Sequence, residues 1–311
     1  MTKPVSRSAA PVQALLFMLL GVFGFSIVDA ATKWLTGDFG TWQIVAVTRL
    51  PPLFFALILT ARATGNPFRL HTRHIKSHAI RGLFVLSTTY CFYAALRYLP
   101  LADCVAIAFA APLFITALSG PLLGERVGWR RWSAVVIGFV GVLIAVRPDT
   151  TGISFGAILA LAAALAYAFV LITLRTISGK ESPHNILFYS SAFSIVVAFP
   201  FAVLEWHQPS LSDWGLMLLQ GTASTLAQLA MIRAFRLGEA SLLAPIEYTG
   251  LVWATMFGLM FWHEWPTAQV IGGAVLIIAA SFYIAQREAR IAQGQQKRDS
   301  QTVPEHASLP E

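Results

Sequence analysis

Apolar runs of about 20 residues recur along almost the whole chain, and a helical run of that length crosses a hydrocarbon core about 30 Å thick. The expected spans are 12–36, 41–61, 79–98, 101–123, 129–146, 153–175, 184–204, 212–235, 239–262 and 267–286. Each is continuously apolar rather than alternating, which predicts helices and not barrel strands. Composition agrees, with 56% hydrophobic and 12% charged residues and a mean hydropathy of +0.65; a soluble domain carries about twice that charge. The first run follows Lys3 and Arg7 as a signal peptide would, but it is too long for a signal segment and is expected to be retained. The fold class expected is an all-α polytopic membrane protein.

The net charge of +7 does not point to nucleic acid, because its distribution is that of a membrane protein. All but four of the 22 Lys and Arg fall on one side of a ten-span chain. Lys33, Arg97 and Arg147 lie on the other, and Arg49 lies within a span. Basic loops stay in the cytoplasm, so both termini are expected there, in a bacterial-type inner membrane. Tryptophan favours the membrane interface, and Trp34, Trp42, Trp129, Trp132, Trp206, Trp214, Trp262 and Trp265 all sit at span ends, with Trp253 alone in mid-span. Cys91 and Cys104 lie in apolar spans and read as packing residues.

A weak internal repeat appears at a spacing near 140: ALRYLPLADCVAIAFAAPLFITALSGPLLGE, ending at Glu125, aligns without gaps on AFRLGEASLLAPIEYTGLVWATMFGLMFWHE, ending at Glu264. It pairs Ala95 with Ala234, Arg97 with Arg236 and Thr116 with Thr255, and Lys33 similarly matches Arg175. Five spans per half is an odd number, so the second half enters the membrane upside down. Inverted halves are a recurrent plan for carriers whose central site opens alternately to each side. RYLPLADCVAIAFAAPLF and the following LGERVGWRRWSAVVIGFVGVLIAVRP strongly resemble the EamA module of the drug/metabolite transporter superfamily, and the second half looks like a divergent copy. Arg49, in TRL, resembles an arginine the family often carries there. The resemblance implies a ten-helix carrier with a central cavity and leaves the substrate open. The organisation expected is a cytoplasmic tail (1–11), a first repeat (12–147), a second repeat (153–288) and a disordered cytoplasmic tail (289–311).

An intramembrane charge costs about 2.5 to 3.5 kcal/mol on insertion scales, so each one needs a reason. Asp29 and Arg49 lie at similar depths in spans one and two. They read as binding a zwitterionic or charged substrate, with Asp29 also able to take a coupling proton, or as a structural ion pair; Asp29 also stands one turn before Lys33. Glu247 follows Pro245, whose ring can kink span nine, and reads as a substrate or proton site or as a buried hydrogen bond to a neighbour. Pro112 suggests a similar kink in span four. Gln220, Ser224 and Gln228 form a polar stripe on span eight, and Ser87, Tyr90 and Tyr93 another on span three; each faces a wet cavity or a neighbouring helix. Trp253 could stack on a planar ligand or simply pack. Tyr90, Tyr93, Gln228 and Glu247 are expected to converge near the midplane. Glu125 and Glu264, at span ends, read as loop anchors.

An intramembrane enzyme needs a catalytic cluster at depth, but all seven histidines lie in loops, span ends or the tail, and neither HExxH nor GxSxG occurs. A channel or scaffold does not explain duplicated halves. No P-loop is present, so energy comes from a gradient or exchange. The function expected is a secondary permease, first an exporter of amino acids or related amphipathic metabolites, alternatively an importer of a vitamin or nucleoside-like compound such as riboflavin. No cofactor, metal or nucleic acid is expected. The partners expected are a small-molecule substrate, membrane lipid, and protons or a counter-substrate.

Overall fold

Backbone amides inside a membrane have no water to bond, so the chain satisfies them within helices. The computed structural model describes residues 9–124, 127–148, 152–177, 181–238 and 240–302, and the regular structure there is α-helical. The first half contains α1 (Ala9–Leu35), α2 (Thr41–Thr48), α3 (Leu50–Thr64), α4 (Ile75–Ala95), α5 (Leu101–Ala108), α6 (Ala111–Leu123) and α7 (Trp129–Val146). The second contains α8 (Phe155–Ile177), α9 (Pro183–Leu204), α10 (Leu211–Leu237), α11 (Ala240–Glu247), α12 (Thr249–Trp262) and α13 (Ala268–Thr302). Eight segments are long and apolar enough to cross a membrane, three of the first half's among them being α1, α2–α3 and α5–α6. Helix α4, whose first turns carry Lys76, His78 and Arg81, and the α11–α12 pair complete the ten.

Among the described residues three crossings are interrupted, and proline accounts for two of the breaks. Pro51 and Pro52 have no N–H to offer the carbonyls of Val47 and Thr48, and the helix breaks just before them, at Arg49. Helix α10 closes on this break through Gly221, where a Cβ would lie 2.4 Å from the Thr48 oxygen. Pro112 similarly denies Ala108 a partner, and α5 gives way to α6 at Phe109–Ala110. In the second half the break falls at Tyr248, where Thr249 Oγ1 donates to Ile246 O at 2.6 Å. Phe109 and Tyr248 are partners in the ungapped repeat alignment, and their rings meet edge to face at 5.3 Å.

The packing has the two-fold exchange that inverted repeats require. Helix α1 packs on α10 and its repeat equivalent α8 on α4. Likewise α1 on α12 mirrors α8 on α6, and α9 on α4 mirrors α3 on α10. The last span of each half, α7 and α13, pack on one another. Glycine makes that contact possible: a Cβ on Gly141 would lie 2.8 Å from Gly273 O, and one on Gly273 only 2.5 Å from Gly141 O. Ile107, Leu113 and Ile277, all buried to 1% exposure or less, sit in the core around these helices, where Cys104 is one more apolar side chain. Helix α13 continues to Thr302, so the segment expected to be disordered from residue 289 is helical over its first part. Its sequence there, ARIAQGQQKRDSQT, is rich in helix formers and holds no proline.

Candidate functional site

At the end of the bundle where α1 finishes, hereafter the Leu35 end, Lys33 Nζ donates to both carboxylate oxygens of Glu264 at 2.6 Å and to Leu99 O at 3.0 Å. Glu264 also accepts from the Leu101 amide at 3.1 Å, and the Trp262 ring lies 5.4 Å from the ammonium. One carboxylate thus ties α1 and α5 of the first half to α12 of the second. Arg147 pairs with the buried Asp103 at 2.6 Å beside it. Glu264 is a loop anchor, and Lys33 serves it rather than Asp29. Glu125, its repeat partner, and the Arg175 side chain lie outside the described residues.

A second set of ties joins the second span of the first half to the second half at both ends. At the Leu35 end Gln43 exchanges two hydrogen bonds with the His207 backbone, at 2.7 and 3.0 Å, and Glu205 accepts from the Trp42 amide. At the opposite end Glu181 accepts from Thr72 and Asn185, Asn185 and Tyr189 donate to His71 O and Leu70 O, and His78 stands 3.7 Å from the carboxylate. Burial alone would raise the Glu181 pKa, but the hydrogen bonds from Thr72 and Asn185, with His78 and His74 nearby, outweigh it and hold the carboxyl below its usual range.

Between the two ends, polar side chains from α1, the α2–α3 break, α4 and α10 gather on one interior space. The break aims Arg49 inward, where Nη2 donates to Thr89 Oγ1 and Nε has no partner. Gln220 of α10 donates to Thr32 Oγ1 at 2.7 Å and to Tyr93 Oη at 2.8 Å. Asp29 and Arg49 are both within electrostatic range of that tyrosine. They make no ion pair with each other among the described residues. Asp29 lies deep among protein atoms yet is only partly buried. It has neither a hydrogen bond nor an ion pair among the described residues.

Glu247 has the same character nearer the opposite end: deep, accessible and without a hydrogen bond or ion pair among the described residues. Its field reaches Tyr248 and also Tyr167 of α8, although α11 packs on α1, α10, α12 and α13 and α8 on α4, α5 and α6. Glu247 and Tyr167 are thus within electrostatic range of each other although their helices do not pack closely. Arg81, which donates to Val170 O at 2.6 Å, borders the same region.

The remaining candidates are placed differently. Tyr90 stacks on Trp42 with ring centroids 4.0 Å apart, and Trp42 on Phe201 at 4.8 Å, so protein covers one face of the tyrosine. Trp253 packs edge-on against Phe23 at 4.8 Å with its Nε1 unpartnered. Gln228 is exposed, two turns from Gly221 on the α10 face that meets the α2–α3 break. A groove of about 280 Å³ between α1 and α12, lined by Ile27, Trp34, Phe257 and Phe261 among others, is apolar and includes none of these residues. With Ile27, Trp34 and Phe261 exposed, it is a membrane-facing surface and not the polar site.

The profile of the EamA-like transporter family matches residues 12–147 and 154–286, both halves of the chain. An S-adenosylmethionine uptake transporter of Rickettsia prowazekii is 27% identical over 283 residues, 88% of this chain and 92% of its own length. The pseudopaline exporter CntI of Pseudomonas aeruginosa is 28% identical over 274 residues, 87% and 95% of the two chains. A riboflavin transporter of Vibrio cholerae is 25% identical over 287 residues, 90% and 95%. A crystal structure 20% identical in sequence superposes with a TM-score of 0.59 over 92% of this chain and 99% of its own; that likeness concerns the fold alone.

Proposed function

Since the chain belongs to the EamA-like transporter family, we propose that it exports amino acids or related amphipathic metabolites by alternating access, across a bacterial-type inner membrane with both termini cytoplasmic. That it is a small-metabolite permease follows from the family and from relatives that work in either direction. The finer reading rests on one observation: Asp29 and Glu247 are carboxylates at membrane depth that keep accessible surface and have no hydrogen-bond or ion-pair partner among the described residues. Each would cost about 2.5 to 3.5 kcal/mol if it only filled space. A ligand or a proton supplies the missing partner.

Asp29 is six residues from the end of α1, about 9 Å deep, and Glu247 is seven from the start of α11, about 10 Å from the other end. Arg49 and Asp29, both within electrostatic range of Tyr93, offer opposite charges to one bound molecule, which suits a zwitterion. Glu247, with no ion-pair partner among the described residues, suits the coupling proton. Uptake of a vitamin or nucleoside-like compound is the second reading, supported by the uptake and riboflavin transporters among the relatives.

Reconstituted vesicles loaded with labelled metabolites test this. Wild-type protein should pass amino-acid-type compounds, and Asp29→Asn and Arg49→Gln should each lower flux tenfold or more at normal folded yield. Glu247→Gln should flatten the pH dependence of flux. Full flux in all three variants would remove the proposed site. Accumulation of the same compounds in cells lacking the protein supports export, and failure to take them up supports import.

A further inference from the structure

The hydrogen bonds around Gln220 run in one direction only, and that direction fixes what the site presents to a ligand. Thr32 Oγ1 donates its proton to Val28 O at 2.7 Å, so it meets Gln220 as an acceptor. The Gln220 atom facing it is therefore the amide nitrogen, and this nitrogen also donates to Tyr93 Oη at 2.8 Å. Both amide protons are then used, and Oε1 is left buried with no partner. A phenol that already accepts from Gln220 turns its own proton elsewhere. Thr32 Oγ1, which accepts from Gln220 and donates to Val28 O, keeps one lone pair that can take this proton when no ligand is bound. A ligand carboxylate beside Arg49, which with Asp29 is within electrostatic range of Tyr93, is the stronger acceptor and draws the proton from Thr32.

We infer that Gln220 is a positioning residue that holds Tyr93 as a hydrogen-bond donor beside the Arg49 guanidinium, so that the site selects metabolites bearing a carboxylate. This deepens the carrier reading and rests on it. The substrate carboxylate is bound between Tyr93 Oη–H and Arg49, whose Nε also lacks a partner, and a substrate ammonium group faces Asp29. Gln220, at 2% exposure, does not touch the ligand; it acts through the phenol. A glutamate in its place would accept the phenol's proton, turn an oxygen lone pair toward the cavity and reverse the preference.

The probes are amino acids, each compared with its carboxamide and its decarboxylated amine, competing for flux in proteoliposomes and stabilising the purified protein against heat. With wild-type protein the acids should outcompete their carboxamides and amines about tenfold or more, the worth of a hydrogen bond to a charged group. Tyr93→Phe should erase most of that ratio. Gln220→Glu should erase or invert it, and Gln220→Met, which adds no buried charge, should lower it several-fold if Gln220→Glu does not fold. A merely structural Gln220 would lower yield or melting temperature while leaving the ratio intact, and an unchanged ratio in folded Gln220→Met and Tyr93→Phe overturns the assignment. Wild-type protein that prefers amines or carboxamides overturns it too, with the carrier reading untouched. The carrier reading fails separately, if a broad screen of labelled metabolites finds no flux at all.

Discussion

Lys33 spends its hydrogen bonds on Glu264 and Leu99 O; with 7% of its side chain exposed against 26% for Glu264, removing it strands a half-buried carboxylate. Breaking a fully buried pair costs about 3 to 5 kcal/mol and an exposed one about 0 to 1. Lys33→Met should therefore destabilise the detergent-solubilised protein by about 1 to 3 kcal/mol, and the double change with Glu264→Gln by less than the two singles together; additive losses would show that the pair is not coupled. Glu181 gives a pH prediction. A carboxyl held below its unfolded pKa, about 4.3, stabilises above that value, and the stability is lost as pH falls through the lower folded value. The melting-temperature gap between wild type and Glu181→Gln should be open at pH 7 and narrow as the pH falls below the unfolded value of about 4.3; a gap constant with pH would mean the charge is irrelevant. Asp29, Arg49 and Glu247 were legible in the sequence because charge in an apolar run stands out. Thr32 and Thr89 were not, since a threonine in a membrane helix looks alike whether it bonds its own backbone or a ligand-site neighbour. The Lys33–Glu264 tie was within reach of the repeat alignment, which singled out both residues but does not say that an inverted repeat contacts across halves.

Spans and their order followed from apolar run length, and Pro112 announced one of the breaks. The break at Arg49 was missed as a break, although Pro51 and Pro52 stand directly after it, because an unbroken apolar run hides a change of helix axis. Helix contacts were the least legible, since small residues permit close approach on any face. The α7–α13 contact makes this testable. Gly141→Val pushes a side chain into the Gly273 backbone and should cost about 1 to 3 kcal/mol. Gly272→Val, one residue from Gly273 but with nothing within 4 Å of its added carbon, should be near neutral. Equal effects of the two on thermal unfolding would contradict the close packing.

The chain as a whole is two five-span units related by exchange, and loop charge predicts their orientation. Reporter fusions after Arg73 and Arg131 should read cytoplasmic, and fusions near Gln208 and Pro266 periplasmic; a cytoplasmic signal at Gln208 would break the ten-span arrangement. The repeat alignment foretold the inversion, yet not that the broken helices of spans four and nine would touch at their breaks. Phe109 and Tyr248 lie where the exchange axis passes, and a contact on such an axis maps onto itself when the halves trade places. Its energy is then nearly the same whichever side of the carrier is open, so altering it should leave the resting balance between the two states unmoved and change the speed of passage only as far as the contact loosens on the way. A contact off the axis, such as Lys33 with Glu264, sits at one end of the bundle, and altering it alone would shift the balance as well as the speed.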